Sequence, residues 1–255
     1  MSVKIEYKDG YFQTDIQIEP SIIQKSFELF LSRDFNYKKQ FLQKNYEYGF
    51  DGYSYMGQGN SINQYAEDFL HSMVISEFNP PHKYPMEFIS FFNTEWKKIQ
   101  DKIKSIEKSI IKNIETNINT SLVDFYNEYI GHMMSMNYYP KIDYHKNNIR
   151  LTEHKDVSLF SIFPFGIDQG LQIKNKTNQW INVPATNKAF GMTGFLLESL
   201  TNNTIKATNH RVIFNQIQNT KRFSFVFFSM PIQHHHLPIL NCSSQDYINK
   251  YLNLF

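Results

Sequence analysis

The chain has 255 residues, 41% of them hydrophobic and 16% aromatic, so it can bury a sizeable core and is neither disordered nor low-complexity. Its 26 Lys and Arg stand against 24 Asp and Glu, a formal charge of +2 that leaves no electrostatic footprint for nucleic acid. No apolar run reaches the ~18 residues of a membrane span, and a lone cysteine, Cys242, excludes a disulfide framework and a cysteine-ligated zinc or iron–sulfur centre. The opening Met1-Ser2-Val3-Lys4-Ile5-Glu6 has no apolar signal core, which predicts a cytoplasmic protein. The Asn-x-Ser/Thr triplets at Asn119, Asn175, Asn202 and Asn241 are then chance products of an Asn-rich composition.

Residues 1–130 read as a mainly helical part with a few strands. Pro20-Ser21 ahead of Ile22, Ile23, Phe27, Phe30 and Leu31 predicts a helix start and an amphipathic face. The glycine-bearing stretch from Gly49 to Asn60, interleaved with aromatics, suits a strand-and-turn connection better than a linker. After Pro85, Phe92, Trp96, Ile99, Ile103, Ile106, Ile110 and Ile114 recur three or four residues apart, with lysines between them. That is one apolar stripe, of a helix packed on a sheet in preference to a coiled coil.

From Met133 to Pro231 the pattern changes to short β-branched and aromatic runs: Val157–Phe165, Leu171–Lys174, Trp180–Val183, Phe190–Leu197, Val212–Phe214 and Phe223–Phe228. Such spacing indicates a sandwich, jelly roll or barrel, here a mainly β fold with flanking helices around a jelly roll. With no repeat and no Pro/Ser/Gly-rich linker, the chain reads as one domain: residues 1–130, a core over 131–231, and a tail over 232–255. The tail ends in a short amphipathic helix, from Asp246 to Phe255, expected at the mouth of the pocket.

His154-Lys155-Asp156 places an imidazole and a carboxylate two residues apart, on one face if the segment is a strand. His210 follows 56 residues later, ahead of Val212-Ile213-Phe214. Two imidazoles and one carboxylate cap one face of an octahedral ion and leave the other positions open, as non-haem Fe(II) oxygen chemistry requires, whereas zinc prefers a nearly closed tetrahedron. Arg222-Phe223-Ser224 repeats the i, i+2 geometry, with a guanidinium fork and a hydroxyl suited to a carboxylate. Asn137 and Tyr139, in Asn137-Tyr138-Tyr139-Pro140 at a strand end, share a face and can add an amide and a phenol. Phe163, Phe165 and Phe228 could line an apolar pocket but read first as core. His234-His235-His236 reads as a solvated loop, and Cys242, which no motif accompanies, as an inert thiol.

In this order the segments resemble the isopenicillin-N-synthase-like branch of the Fe(II)/2-oxoglutarate-dependent oxygenases. Gly10-Tyr11-Phe12-Gln13 is similar to the family's Gly-Phe-Phe-Gln strand, Asp68-Phe69 to a reduced form of its acidic stretch, and the Trp96–Ile114 helix to its long helix. Asn137-Tyr138-Tyr139-Pro140, His154-Lys155-Asp156-Val157-Ser158-Leu159, Gly170-Leu171-Gln172-Ile173, Trp180 with Val183-Pro184, Leu200-Thr201-Asn202-Asn203, His210-Arg211-Val212 and Arg222-Phe223-Ser224 continue the series. Three departures stand out: the family usually opens with a further strand and helix, so with Gly10 this early one outer element is expected to be missing; Gly194-Phe195 replaces a Gly-Asp pair; and a hairpin through Asn215–Thr220 is expected to be extended.

The resemblance implies that His154, Asp156 and His210 ligate Fe(II). It also implies that Arg222 and Ser224, assisted by Tyr139 and Asn137, bind the distal carboxylate of 2-oxoglutarate. O2 is the oxidant and ascorbate a stimulant. The expected reaction is oxidation of a small-molecule C–H bond, by hydroxylation or by desaturation or ring closure, with release of succinate and CO2. Because Asp156 keeps its carboxylate, a halogenase is disfavoured. Iron, Asp156, dianionic 2-oxoglutarate and Arg222 sum to zero charge, which a buried site tolerates. The implied protein is a cytoplasmic monomer with neither nucleic-acid nor membrane partners. Two other readings stay open: an isopenicillin-N-synthase-like oxidase that uses O2 without 2-oxoglutarate, and a non-catalytic jelly-roll binder.

Overall fold

The computed structural model describes residues 5–8, 10–19, 22–47, 50–56, 69–115, 121–141, 149–214 and 220–252. Pro20-Ser21, Gly49, Gly57, Gly59, Asn60, Asp68, Asn119, the 215–219 part of the hairpin and Phe255 lie outside them. In chain order come β1 (Ile5–Lys8), β2 (Tyr11–Gln17), α1 (Ile22–Ser32), α2 (Phe35–Lys39), β3 (Gly52–Ser54), β4 (His71–Ser76), α3 (Ile89–Phe91), α4 (Lys97–Glu115), α5 (Leu122–Tyr129) and β5 (Ile130–Tyr139). There follow β6 (Ile149–His154), β7 (Phe160–Phe163), β8 (Leu171–Lys174), β9 (Trp180–Asn182), β10 (Lys188–Thr193), α6 (Phe195–Leu200), β11 (His210–Ile213), β12 (Arg222–Pro231), β13 (His236–Leu237), β14 (Cys242–Ser243) and α7 (Ser244–Leu252).

Two antiparallel sheets face each other. The larger runs β1-β2-β10-β7-β12-β5-β4-β3 and the smaller β6-β11-β8-β9, the arrangement of a jelly roll. The strands ahead of residue 130 all join the larger sheet, β1 and β2 at one edge and β3 and β4 at the other. Period-2 alternation along β12 sorts its side chains: Phe225 and Phe227 join the core under the helices, while Val226 joins a separate cluster between the sheets. That inner cluster takes Tyr11, Tyr139, Phe163, Phe190 and Met192 from the larger sheet and Leu171, Ile173 and Val212 from the smaller.

The helical stripes form as their spacing requires. Ile23, Phe27 and Phe30 of α1 are fully buried, as are Ile103, Ile106 and Ile111 of α4. The stripe from Phe92 is not one α-helix, however: a wider π-turn over Phe92–Trp96 links α3 to α4 and seats Trp96 against Phe227, ring centroids 5.2 Å apart. α4 is therefore a buttress on the larger sheet. The run Phe190–Leu197 is likewise two elements, because Gly194 ends β10 and caps α6. In the run Val157–Phe165, only Phe160–Phe163 is strand.

One buried carboxylate outside the barrel has a measurable consequence. Asp51 is fully buried, and its Oδ2 accepts from Ser76 Oγ (2.6 Å), Asn79 Nδ2 (2.5 Å) and Tyr84 OH (2.6 Å) while Oδ1 has no partner. Burial, partly offset by these donors, pushes its pKa up to about 6. The folded chain thus holds this proton more tightly than the unfolded chain, whose carboxyl titrates near 3.8. Its contribution is most favourable below about pH 4, declines as the pH rises to about 6 and is level above, a loss of up to about 3 kcal/mol. Asp51→Asn should remove that slope, so its urea midpoint relative to the wild type should rise between pH 4.5 and 7.5. An equal difference at both pH values contradicts the assignment.

Candidate metal centre and anion clamp

β6 ends at His154 and β11 begins at His210, and these two residues are register partners across the antiparallel pair. Their rings lie 4.2 Å apart, centroid to centroid. Asp156 is past the end of β6, so the same-strand geometry expected from the sequence does not hold. The carboxylate is instead brought back by the loop that follows, with Oδ1 3.5 Å from His154 Nε2 and Oδ2 3.8 Å from His210 Nε2. One ligand atom from each of the three residues falls within a mutual 4.8 Å, the sole such cluster of His, Cys, Asp and Glu among the described residues.

The surroundings fix the donor state. Thr152 O lies 2.7 Å from His154 Nδ1, and Thr208 O 3.2 Å from His210 Nδ1. A carbonyl can only accept, so each Nδ1 carries a proton, and Nε2 is the ring nitrogen that faces Asp156 and that a metal would take. Burial, reinforced by His154, lowers the pKa of His210 to about 4. Burial also works against Asp156 ionising, but His210, His154 and a hydrogen bond from Ser161 Oγ outweigh it and hold the pKa at about 2. At neutral pH His210 is therefore a neutral donor beside an anionic oxygen. This donor set fits a divalent ion that accepts nitrogen and oxygen ligands and keeps open positions.

The loop that carries Asp156 is clamped by the start of α6. Phe195 N donates to Asp156 O (2.8 Å) and Leu196 N to Ser158 O (3.1 Å). A side chain at Gly194 would stand 2.0 Å from Ser158 O, so this close approach requires glycine. Replacing the family's Gly-Asp by Gly194-Phe195 leaves the backbone clamp in place. The Phe195 ring stacks on Tyr251 of α7 and lies under the Lys155 ammonium. α7 itself packs outside, its Tyr247 OH donating to Val157 O (2.6 Å), and does not line the cavity described below. Ser161, for which the sequence carries no motif, touches Asp156 directly. Losing a hydrogen bond to a metal-binding carboxylate typically costs about 10–100-fold in metal affinity. Ser161→Ala should weaken Fe(II) binding by that factor in an anaerobic titration, and an unchanged affinity contradicts the role.

The second candidate group sits on the larger sheet. Arg222 faces Tyr139 and Ser224 faces Asn137 in the β12–β5 register, so all four occupy one face of two adjacent strands. The Arg222 guanidinium lies over the Tyr139 ring, 5.4 Å from its centroid, and Nη1 donates to Gln169 O (3.0 Å). A cavity of about 340 Å³ opens here, with Tyr139, Arg150, Asp168, Val212, Phe214 and Arg222 in its lining and none of His154, Asp156 and His210. It meets β11 at Val212 and Ile213, about 7–10 Å along the strand from His210. Of the other candidates, Phe163 and Phe228 touch the inner cluster, Phe165 belongs to the outer core, and His234, His235 and His236 are not buried. Cys242 is half-buried in β14, where burial raises the thiol pKa.

Comparison with known proteins agrees with this geometry. Residues 130–231 match the family described as the 2OG-Fe(II) oxygenase superfamily. Protein SRG1 of Arabidopsis thaliana is 27% identical over 218 residues, 81% of this chain and 60% of that protein. Gibberellin 2-beta-dioxygenase 3 of Arabidopsis thaliana is 31% identical over 112 residues, 43% of this chain and 33% of that protein. The chain thus spans about a third to three fifths of these relatives. A full-length Neurospora crassa protein solved in complex with alpha-KG has a similar fold, with a TM-score of 0.72 at 20% identity over 95% of this chain and 85% of that one. JOX2 in complex with 2OG, Fe and JA has a TM-score of 0.69 at 22% identity, over 96% of this chain and 78% of that one.

Proposed function

We propose that this chain, whose residues 130–231 match the 2OG-Fe(II) oxygenase superfamily, is an Fe(II)- and 2-oxoglutarate-dependent oxygenase acting on a small molecule. His154, Asp156 and His210 would hold the iron, and Arg222, Ser224, Tyr139 and Asn137 the distal carboxylate of 2-oxoglutarate. The observation that carries the reading is the convergence of the three donor atoms within 4.8 Å, from the ends of β6 and β11 and the loop after β6, on the sheet opposite the in-register Arg222–Tyr139 and Ser224–Asn137 pairs. Bound Fe(II) would supply O2 activation, coupling decarboxylation of 2-oxoglutarate to succinate and CO2 with oxidation of a substrate C–H bond.

The chain's own contribution is placement. Thr152 O and Thr208 O hold the imidazole tautomers, and Ser161 together with the α6 backbone clamp orients Asp156. Arg222 supplies a fixed cationic fork for one end of the dicarboxylate. The inner cluster, with Phe163, Phe190 and Met192 among its members, excludes water between the sheets. Hydroxylation is the default outcome.

The proposal takes residues 1–255 as one unit, monomeric and cytoplasmic, with neither nucleic acid nor membrane as partner. The near-neutral charge supports the former exclusion, and no helix among the described residues is long and apolar enough to cross a membrane. Succinate formation from 2-oxoglutarate by the Fe(II)-loaded protein, screened against a metabolite library, tests the activity. Succinate that requires Fe(II) and rises with one compound supports it. O2 consumption without succinate would instead favour an oxidase of the isopenicillin N synthase kind.

A further inference from the structure

The sequence motifs point to one arginine in the carboxylate clamp, but the cavity has two. Arg150, on β6, is only 6% exposed, and its guanidinium lies over the Tyr139 ring at 5.6 Å from the centroid, against 5.4 Å for Arg222. Tyr139 thus serves both cations. Arg150 Nη2 donates to Pro140 O (2.6 Å) and the group also lies over Phe214 (5.8 Å). Nε of Arg150 and Nε of Arg222 are both buried and both without a hydrogen-bond partner. Neither guanidinium pairs with a carboxylate among the described residues, although Asp168 is in the same lining; Lys221, also there, is engaged by Glu28 at 3.3 Å.

One buried and one half-buried guanidinium on one ring, each with an unused Nε–H and with no carboxylate partner among the described residues, are an unfavourable arrangement in an empty site and a favourable one around an anion. Burial depresses the Arg150 pKa, and the nearby Arg222 charge adds to the depression. The lining donors are N–H groups in fork geometry, which match the planar oxygens of a carboxylate.

We propose that Arg150 is a second carboxylate-binding cation, so that the far end of the site is a bis-guanidinium clamp that grips one carboxylate with both groups. The inference rests on the 2-oxoglutarate reading for the identity of the natural ligand, but its test does not need iron or turnover. Arg150 approaches from the smaller sheet and Arg222 from the larger, which makes the clamp a bridge between the two sheets. Filling it would tie them together at the end of the barrel away from the triad.

The chain has four arginines, Arg33, Arg150, Arg211 and Arg222, so their Nε–H signals are resolvable by NMR in the metal-free wild-type protein. Glutarate, a dicarboxylate without a keto group, should shift two of them, those removed in Arg150→Lys and Arg222→Lys, and leave Arg33 and Arg211 in place. Butyramide, which has no anionic oxygen, should shift neither at the same concentration. In calorimetry Arg150→Gln should weaken glutarate at least tenfold, with Fe(II) affinity measured without glutarate unchanged within twofold. Movement of the Arg222 signal alone, an equal response to butyramide, or no response to glutarate overturns the proposal, whether or not Arg150→Gln folds. Failure of the 2-oxoglutarate reading would read differently: glutarate would bind through both arginines, yet the Fe(II)-loaded chain would form no succinate.

Discussion

Replacing His210 by alanine is expected to abolish 2-oxoglutarate turnover while leaving the chain folded. His210 supplies one of the three donors and is held by Thr208 O on its other nitrogen, so its loss leaves two ligands close together near one strand end. Removing a group that merely orients a ligand typically costs about 10–100-fold, and removing the ligand itself should cost more than that. Succinate formation and iron retained after anaerobic desalting measure the effect together, with circular dichroism as the folding control. The same loss is expected for Asp156→Ala. An Asp156→Glu variant keeps the charge but displaces the oxygen from the position set by Ser161 and α6, and should retain only a small part of the activity. A His210→Ala protein that keeps its iron and turns over at more than about a tenth of the wild-type rate contradicts the assignment of the triad, since even a lost orienting group costs about that much.

The largest expected effect on stability lies far from that centre. Glu107 of α4 is fully buried and accepts three hydrogen bonds: from Tyr126 OH on α5, from His132 Nε2 on β5 (2.8 Å) and from Ser229 Oγ on β12 (2.6 Å). The fully buried His132 also has Nδ1 3.5 Å from Glu77 Oε1 and its backbone N–H on the same oxygen. One carboxylate thus fastens the buttress helix and α5 to two adjacent strands of the larger sheet, β5 and β12. Glu107→Ala would strand three buried donors and leave the His132 imidazole facing a void. Breaking a buried charged pair from one side costs about 3–5 kcal/mol, a melting shift on the order of 10 °C for a chain of this size. Glu107→Gln keeps an acceptor and should lose less, about 1–2 kcal/mol. Urea unfolding of both variants checks the order. A loss below about 1 kcal/mol for Glu107→Ala would mean that the network carries little of the packing.

The network also sets a pH dependence. Burial opposes charging His132, but Glu107 and Glu77 outweigh it and raise the pKa above 6.5. Stabilisation from the imidazolium is therefore complete below that value and is lost as the pH rises through the folded-state pKa.

Much of the fold and of the candidate metal centre could be read from residue spacing. Ile23, Phe27 and Phe30, and Ile103, Ile106 and Ile110, lie on single helical faces because 3.6 residues per turn leave no other face for them. Leu171–Lys174 is strand as expected, and Arg222 and Ser224 share a face with Tyr139 and Asn137 because strand periodicity is two and the register pairs them directly. Where the reading failed, a backbone contact distant in sequence had decided the matter. Asp156 leaves the strand because Phe195 N takes its carbonyl, and Phe190–Leu197 breaks because Gly194 must approach Ser158 O. The apolar run alone carries no record of either contact. Arg150 escapes a sequence reading for a similar reason. Its position four residues before His154 has no motif value, and its chemistry emerges only when β6 and β12 bring two arginines to the one Tyr139 ring. The Glu107–His132 pair is equally invisible in sequence, since a Glu on an otherwise apolar helix face reads as an exception until its three donors are in place.

The central claim is that one ion and one dicarboxylate are held together by residues from both sheets. Anaerobic titration of the protein with Fe(II) and 2-oxoglutarate, followed by visible absorption, addresses it most directly. A weak charge-transfer band should saturate at one equivalent of each, vanish in His154→Ala and weaken in Arg222→Ala. No band in the wild type, or an equal band in His154→Ala, would contradict the account.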